Sequence, residues 1–207
     1  MMKTLVCPIL PFPNIYWWSR VFNADSILLD ASEHFEKMSL RNRYLVSGSG
    51  GLNTLSIPIA EGRQQRKPMC EVLIDYKNDW QKQHWRTLQT VYNRSPYFEF
   101  FNQDIQSLYF KKFEKLIDFN EASIQLIARL LDKKLNIQRP EFYQKNYPET
   151  VLDIRSDFRS SQYNKHPEKF PVYHQIFEDR LGFLPNLSIL DLLFAEGKNS
   201  ASYFAKL

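Results

Sequence analysis

The sequence predicts an α/β fold in which a small central mixed sheet packs with a helical block; an α+β arrangement is the alternative. Two observations favour the α/β class. The first third of the chain holds short apolar runs of strand length, two of them separated by a segment with helical periodicity. Residues 79–135 then repeat apolar side chains at helical spacing over longer stretches. An N-terminal βαβ unit and a later hairpin would together supply the sheet.

The βαβ unit begins with a strand in "TLVCPIL", which the prolines at 8, 11 and 13 end early or place at a sheet edge. Asn14 then predicts the start of a helix, because its side chain suits an N-cap and the next apolar residues recur at helical spacing. The run "SILLDA" follows as a continuous apolar strand that ends on an acid.

The hairpin is predicted from "RYLVSGSGGLNTLSIPI", in which two β-rich runs flank a glycine-rich tip. Such a tip could cradle phosphate. Because this one lacks Walker spacing and a following helix, a turn is the simpler interpretation. A further strand is predicted in "CEVLIDY", after a basic loop.

The helical block is predicted to hold three helices. Asp79 caps the first, and the run "QDIQSLYFKKFEKLIDF" forms the second. Asn120 caps the third, which extends to residue 135.

The last third of the chain divides into an irregular segment and a helical tail. Residues 136–172 are polar and rich in proline, which predicts either a long loop with a short strand in "TVLDIR" or a cover over a site. In the tail, Ser188 and Asp191 fit a capping box, Leu187 and Leu192 fit a hydrophobic staple, and Gly197 fits a C-terminal cap.

Length and composition favour one domain of residues 1–207, mainly sheet-forming to residue 78, helical over 79–135, and irregular before a C-terminal helix over 136–207.

The net charge of +4 favours an anionic small molecule and is too weak for a nucleic-acid partner. No run approaches the ~18 apolar residues of a membrane-spanning helix, and no signal-peptide cleavage site follows the start, so we expect a cytoplasmic protein. The sequence leaves the oligomeric state open.

The stretch "SEHFEKMSLRNRYLV" contains the strongest candidate site. If it is extended, Arg41 and Arg43 point to one side and Asn42 to the other. Two guanidinium groups near Glu33 and His34 would hold a phosphate or nucleotide diphosphate, with His34 as the base. The alternative is a solvated strand edge on which the arginines pair with nearby glutamates.

His84 is the second candidate, since it lies on the apolar face of its predicted helix between Trp80 and Leu88. It is either a core histidine or a neutral general base, because burial lowers the pKa of an imidazole.

Cys7 would need a nearby base to act as a nucleophile, and none is close in sequence. The four histidines lack metal-ligand spacing, and no haem, flavin or nicotinamide motif is present, so the cofactor is unknown.

The segments "EHFEKMSLRNRYLV" and "DWQKQHWRTLQTVYNRSPYFEFF" resemble the WbqC-like family, and the tail "YHQIFEDRLGFLPNLSILDLLFAEG" resembles its Bacteroidetes-type branch. The resemblance covers nearly the whole chain. One departure is at Tyr16, near the point where many relatives have Gln or Glu before the aromatic pair of the first helix. The matching positions are Arg41, Asn42, Arg43, Trp80, His84, Trp85, Tyr92, Ser95, Pro96, Tyr97, Phe98, Gly182, Phe183, Asn186, Ser188 and Asp191.

The resemblance implies a bacterial protein of O-antigen, lipopolysaccharide or other surface-polysaccharide biosynthesis. It favours a transferase acting on a nucleotide- or lipid-linked sugar, including aminoacyl or acyl transfer, with His34 or His84 as the catalytic base. The alternative is a non-catalytic binding or assembly protein that recognises an anionic sugar intermediate. We expect the site where the loop after the first strand and the "SEH" and "RNR" segments meet the helix of His84. The substrate-binding candidates are Trp18, Glu33, Arg41, Asn42, Arg43, Asn186 and Ser188.

Overall fold

The computed structural model describes residues 4–62, 66–140, 142–159 and 170–204, so the predicted basic loop and irregular segment fall partly outside the described residues. The strands are β1 (Thr4–Pro8), β2 (Ser26–Asp30), β3 (Arg43–Val46), β4 (Asn53–Ser56), β5 (Ile137–Gln138) and β6 (Val151–Asp153). The helices are α1 (Ile15–Phe22), α2 (Trp80–Tyr92), α3 (Phe98–Phe110), α4 (Leu116–Leu130), α5 (Glu178–Leu181), α6 (Ile189–Glu196) and α7 (Ser200–Phe204).

The α/β class is confirmed by a four-stranded sheet in the order β5-β2-β1-β6, in which all neighbouring strands run parallel. β1 and β2 pair in register from Thr4 with Ser26 to Pro8 with Asp30, and α1 connects them as the predicted βαβ unit. The side chain of Asn14 caps α1 by accepting a hydrogen bond from the Trp17 backbone N–H at 3.0 Å. The short strand predicted in "TVLDIR" is confirmed as β6.

The predicted hairpin forms, but within the described part of the chain β3 and β4 pair with each other and make a separate two-stranded antiparallel sheet. The strand predicted in "CEVLIDY" is wrong, because this segment starts with a 3-10 turn over Met69–Glu71 and then makes single bridges to two different neighbours. Leu73 accepts from Ala60, while Ile74 donates to Glu114 on the other side. A chain that pairs one residue at a time builds no continuous ladder.

The first helix of the block begins directly after Asp79 as predicted, but the predicted cap is wrong, because the Asp79 side chain makes no capping hydrogen bond and accepts from Lys82 at 2.8 Å instead. The second and third helices have different limits from those predicted. α3 ends at Phe110, and α4 begins at Leu116, ahead of the predicted cap Asn120. The break arises because residue 115 is extended and bridges Leu73, which competes with the helical hydrogen bonds. Asn120 therefore lies inside α4, where its amide donates to the Ile9 and Arg41 carbonyls at 2.9 and 2.8 Å.

The helical tail is confirmed as α6. Ser188 caps it by accepting from the Leu190 backbone N–H, and Gly197 ends it with a φ of 62°. The capping box is wrong in its second half, because the carboxylate of Asp191 turns into the core instead of returning to Ser188. There it accepts hydrogen bonds from the hydroxyls of Tyr92 and Tyr173 at 2.6 and 2.8 Å.

One hydrophobic cluster runs through the described residues from Leu5 to Phe204 and is rich in aromatic rings. Both faces of the parallel sheet are covered, since Val6 and Cys7, which point to opposite faces, are fully buried, although of these two only Cys7 belongs to the cluster. Cys7 and Cys70 are free thiols. Among the described helices, none combines the length and apolar character that a bilayer crossing requires.

Candidate functional site

A cleft of about 570 Å³ opens at the carboxyl-terminal edge of the parallel sheet. One wall follows β2 and holds residues 33–36, and another lies at the end of β6 and holds Asp153 and Arg155. Ligands of open α/β sheets bind at this edge, and the volume falls in the range of small-molecule sites. The described lining residues are Glu33, His34, Phe35, Glu36, Arg41, Arg66, Tyr143, Lys145, Asn146, Asp153, Arg155, Ser156 and Arg159.

The floor of the cleft contains a buried ion pair between Arg41 and Glu33. The Nε and Nη2 atoms of Arg41 donate to the two carboxylate oxygens of Glu33 at 2.9 and 2.5 Å. Burial raises the pKa of the Glu33 carboxyl, and the Arg41 guanidinium opposes that rise. The third guanidinium nitrogen, Nη1, is buried and has no hydrogen-bond partner among the described residues.

A second buried guanidinium, that of Arg155, joins the ends of β2 and β6. Its Nη1 donates to Asp30 at 2.5 Å, and its Nε and Nη2 donate to Asp153 at 2.9 and 2.6 Å. Nη2 also donates to the backbone carbonyls of Gln144 and Lys145. Arg155 therefore fixes residues 144 and 145 of the irregular segment against the sheet, and this segment forms one side of the cleft.

The side chains that line the cleft carry charges of both signs, and the cationic ones are in excess. Five of the described lining side chains are permanently cationic, against three carboxylates. Arg66 and Arg159 are exposed cations on the rim. An excess of cationic side chains in a cleft favours anions, and the anionic ligand expected from the sequence stays a prediction.

Two rings stand together at the mouth of the cleft. The imidazole of His34 lies edge-on to the phenol ring of Tyr143, with a centroid distance of 6.1 Å. His34 is exposed and bridges Pro68, and the flanking backbone hydrogen bonds from Phe35 to Lys67 and from Met69 to Glu33 hold it in place. The imidazole is therefore accessible to a ligand, while its backbone is fixed.

The prediction that Arg41 and Arg43 point to the same side is wrong, because the backbone is not extended over this triplet. Leu40–Asn42 forms a 3-10 helix capped by the Ser39 side chain, so the directions of Arg41 and Arg43 diverge. Arg41 lines the cleft, whereas Arg43 lines a separate cavity of about 10 Å³ and its Nη2 contacts the Met38 sulfur at 3.3 Å.

The two candidate histidines lie in different parts of the structure. His84 is 5% exposed, does not line the cleft, and its Nδ1 lies 2.9 Å from the hydroxyl of Tyr44. Burial lowers its pKa to about 4, and a hydrogen bond to the Ser56 backbone opposes that change. Because the imidazole is neutral and donates to Ser56, its Nδ1 accepts the Tyr44 proton, and Tyr44 in turn accepts from Tyr109.

The other binding candidates are built into the fold. Trp18 is fully buried and packs against Trp17, and Asn42 donates its amide to the Ile57 carbonyl at 2.9 Å. The side chain of Asn186 accepts from the backbone N–H of Tyr16 at 2.9 Å. Ser188 donates its hydroxyl to the Phe12 carbonyl at the same distance. None of these four side chains lines the cleft.

Sequence reasoning missed the Asp30, Asp153 and Arg155 cluster and the aromatic wall of Tyr143. Two signals were available: an acid at the end of an apolar strand, seen at Asp30 and repeated at Asp153, and the segment 136–172, predicted as a long loop or as a cover over a site. Arg155 lies 125 positions from Asp30, so their contact depends on the pairing of β1 with both β2 and β6. Among the described residues, no three His, Cys, Asp or Glu side chains form a group that could hold a metal ion.

Fold and cleft together define an α/β protein with a cleft at the carboxyl edge of a parallel sheet. Comparison with known protein families identifies the family of the chain. Residues 10–168 match the model of the WbqC-like protein family, and the chain belongs to that family. The match includes strands β2 to β6, the cleft walls up to Arg159 and the three long helices, while β1 (Thr4–Pro8) lies just before it.

The chain is similar to the uncharacterized protein Rv1507c of Mycobacterium tuberculosis. The two are 24% identical over 203 residues, which covers 86% of this chain and 87% of the relative. No solved structure matches this chain.

Proposed function

We propose that the protein is a transferase acting on a nucleotide- or lipid-linked sugar in surface-polysaccharide biosynthesis, and that the cleft binds this substrate. The observation that supports this proposal is the convergence of cationic side chains, an accessible imidazole and an exposed aromatic ring at one sheet edge. Family membership supports the same context, which the sequence resemblance implies. The cytoplasmic location expected from the sequence remains a prediction.

Each part of the cleft suits one part of such a substrate. The rim cations Arg66, Lys145 and Arg159 suit phosphate oxygens, because cationic donors form charge-assisted hydrogen bonds with them. Tyr143 is 49% exposed and offers a face on which a sugar or a nucleobase would stack.

His34 would act as the general base. Its imidazole would take the proton of an acceptor hydroxyl or amine, while the acceptor atom bonds to the transferred group and the leaving group departs with the bonding electrons. Base catalysis of this kind contributes on the order of 10²–10⁴-fold to the rate. His84 is the weaker candidate, because it lies in the aromatic core and Tyr44 occupies its Nδ1.

The binding part of the proposal is tested with a panel of nucleotide sugars and isothermal titration calorimetry. Arg159→Gln and Lys145→Gln are expected to weaken binding of the ligand that the panel selects, because each removes a rim cation. Arg129→Gln is the matched control, since Arg129 is exposed and pairs with Asp104 outside the cleft. Equal affinity of all variants would contradict the assignment of the cleft.

The catalytic part is tested with His34→Gln in a strain whose own gene is deleted. We expect the surface polysaccharide product to be lost while the purified variant still binds its ligand. His174→Gln is the matched control, because its side chain is 76% exposed and does not line the cleft.

A non-catalytic binding or assembly protein is the second candidate. A catalytic imidazole is commonly oriented by a hydrogen bond to a neighbouring acid. In the part of the chain that the structure describes, no carboxylate forms a hydrogen bond with the His34 ring, and this favours the second candidate. An unchanged product in the His34→Gln strain would support this second function.

A further inference from the structure

The carboxylate of Glu36 stands between two guanidinium groups at the cleft. Its Oε2 atom accepts a hydrogen bond from Nε of Arg159 at 3.2 Å and lies 3.8 Å from Nη1 of Arg41. The second distance is too long for a hydrogen bond. Nη1 of Arg41 therefore stays buried without an acceptor, although it faces a negative charge.

We infer that Arg41 Nη1 and Arg159 Nε form an oxyanion subsite of the cleft, and that Glu36 occupies it until the ligand's anionic group displaces it. This inference rests on the proposed function, since it assigns a position in the same cleft to the charged group of the substrate. The ligand group is an oxyanion on a sugar, either a phosphate or the carboxylate of an acidic sugar.

Arg41 is suited to hold such a group because Glu33 fixes its orientation. Two hydrogen bonds tie Nε and Nη2 to the buried Glu33 carboxylate, and they leave Nη1 as the remaining donor. A planar guanidinium held in this way keeps its geometry when a ligand arrives, so no side-chain entropy is lost there on binding.

Glu36 is suited to leave because it is held weakly. Its side chain is 41% exposed, and its partner Arg159 is 56% exposed, whereas the Glu33 side chain is 7% exposed. A pair of exposed charges contributes little to stability, so displacing Glu36 costs little. A phosphate would bring more acceptor oxygens than the single Oε2 atom, and one of them could reach Nη1.

Removing the charge of Glu36 should therefore increase the affinity for an oxyanion. The test compares the wild-type protein with Glu36→Gln by calorimetry, with glucose 1-phosphate and glucuronate as probes. We expect Glu36→Gln to bind at least one probe about tenfold more tightly, the size of one charge-assisted hydrogen bond. Glu99→Gln is the matched control, because Glu99 is exposed in the first turn of α3 and its change of charge is the same.

A gain in affinity is a result that misfolding cannot produce. The double variant Glu36→Gln/Arg159→Gln should lose the gain, since it lacks one side of the subsite. Unchanged or weaker binding of both probes by Glu36→Gln, or an equal gain in Glu99→Gln, would overturn the inference.

The two probes separate the two sources of the anion, and the outcome is distinct from that of the proposed function. A gain for glucose 1-phosphate alone assigns the subsite to phosphate, and a gain for glucuronate alone assigns it to carboxylate. If nucleotide sugars bind but Glu36→Gln changes nothing, the cleft assignment stands and the subsite fails. If Glu36→Gln gains affinity but His34→Gln leaves the polysaccharide unchanged, the subsite stands and the transferase function fails.

Discussion

Arg41 and Glu33 form a bidentate ion pair whose side chains are only 4% and 7% exposed. The pair joins the loop after β2 to the 3-10 helix before β3, and the Arg41 carbonyl also accepts a hydrogen bond from Asn120 in α4. Arg41 thus contributes its guanidinium to the cleft floor and connects three segments through its side chain and its backbone carbonyl.

We predict that Arg41→Gln lowers the free energy of unfolding by about 3–5 kcal/mol, because it leaves the buried carboxylate of Glu33 without its counter-charge. Urea titration followed by circular dichroism measures the change. Arg129→Gln breaks an exposed pair and should cost less than about 1 kcal/mol. If the double variant Arg41→Met/Glu33→Leu is no more stable than Arg41→Gln, the uncompensated charge is not the cause.

The stability should depend on pH through two buried groups that act in opposite directions. Burial raises the pKa of the Asp191 carboxyl to about 6, so its contribution is fully present below the unfolded value near 3.8 and is lost as the pH rises through 6. Burial lowers the pKa of His84 to about 4, so its contribution is present above 6.5 and is lost as the pH falls through 4. Each difference corresponds to about 3 kcal/mol over its full range.

We therefore predict that the wild-type unfolding free energy changes little between pH 4.5 and 6, because the two effects oppose each other over this interval. Asp191→Asn should make stability rise with pH over this interval, and His84→Gln should make it fall. Urea midpoints at several pH values measure both slopes. Identical slopes in the two variants would show that these groups do not control the pH dependence.

The hydroxyl of Tyr44 links His84 and Tyr109 inside the aromatic core. We predict that Tyr44→Phe lowers the free energy of unfolding by about 2–3 kcal/mol, because it leaves the His84 Nδ1 and the Tyr109 hydroxyl buried without partners. Thermal unfolding provides the measurement. Tyr97→Phe, at an exposed tyrosine, should stay within about 0.5 kcal/mol of the wild type, and an equal loss there would contradict this explanation.

Gly197 ends α6 with a φ of 62°, and an added Cβ would lie 2.7 Å from the ring of Tyr97. We predict that Gly197→Ala costs more than Gly182→Ala, although both glycines have positive φ. Backbone strain of about 1–3 kcal/mol applies to both, but no atom lies within 4 Å of a Cβ at Gly182. Chemical denaturation of the two variants measures the difference, and equal losses would exclude the steric contribution.

Local patterns were sufficient to predict the elements whose cause is local. The cap of Asn14, the helix carrying His84, the cap of Ser188 and the glycine after α6 were predicted from adjacent residues, and the structure confirms them. Each depends on hydrogen bonds or periodicity within a few positions, which a sequence displays directly.

At Asn120 and Asp191 the predictions failed because a distant partner competes with a local preference. Asn120 donates to the carbonyls of Ile9 and Arg41 instead of capping a helix. Asp191 likewise accepts from Tyr92 and Tyr173 rather than closing a capping box. Buried polar groups require partners, so long-range hydrogen bonds override propensity at these positions.

The amino-acid sequence was sufficient to predict the α/β class, the family, and a loop whose acid, histidine and first arginine line the cleft. The burial of His84 in the core, and the addition of Arg155, Lys145 and Tyr143 to the lining, depend on contacts that form on folding. The reason is that the cleft lies where β2 and β6 end on either side of β1, and residues more than 100 positions apart meet there only because the parallel strands are in register.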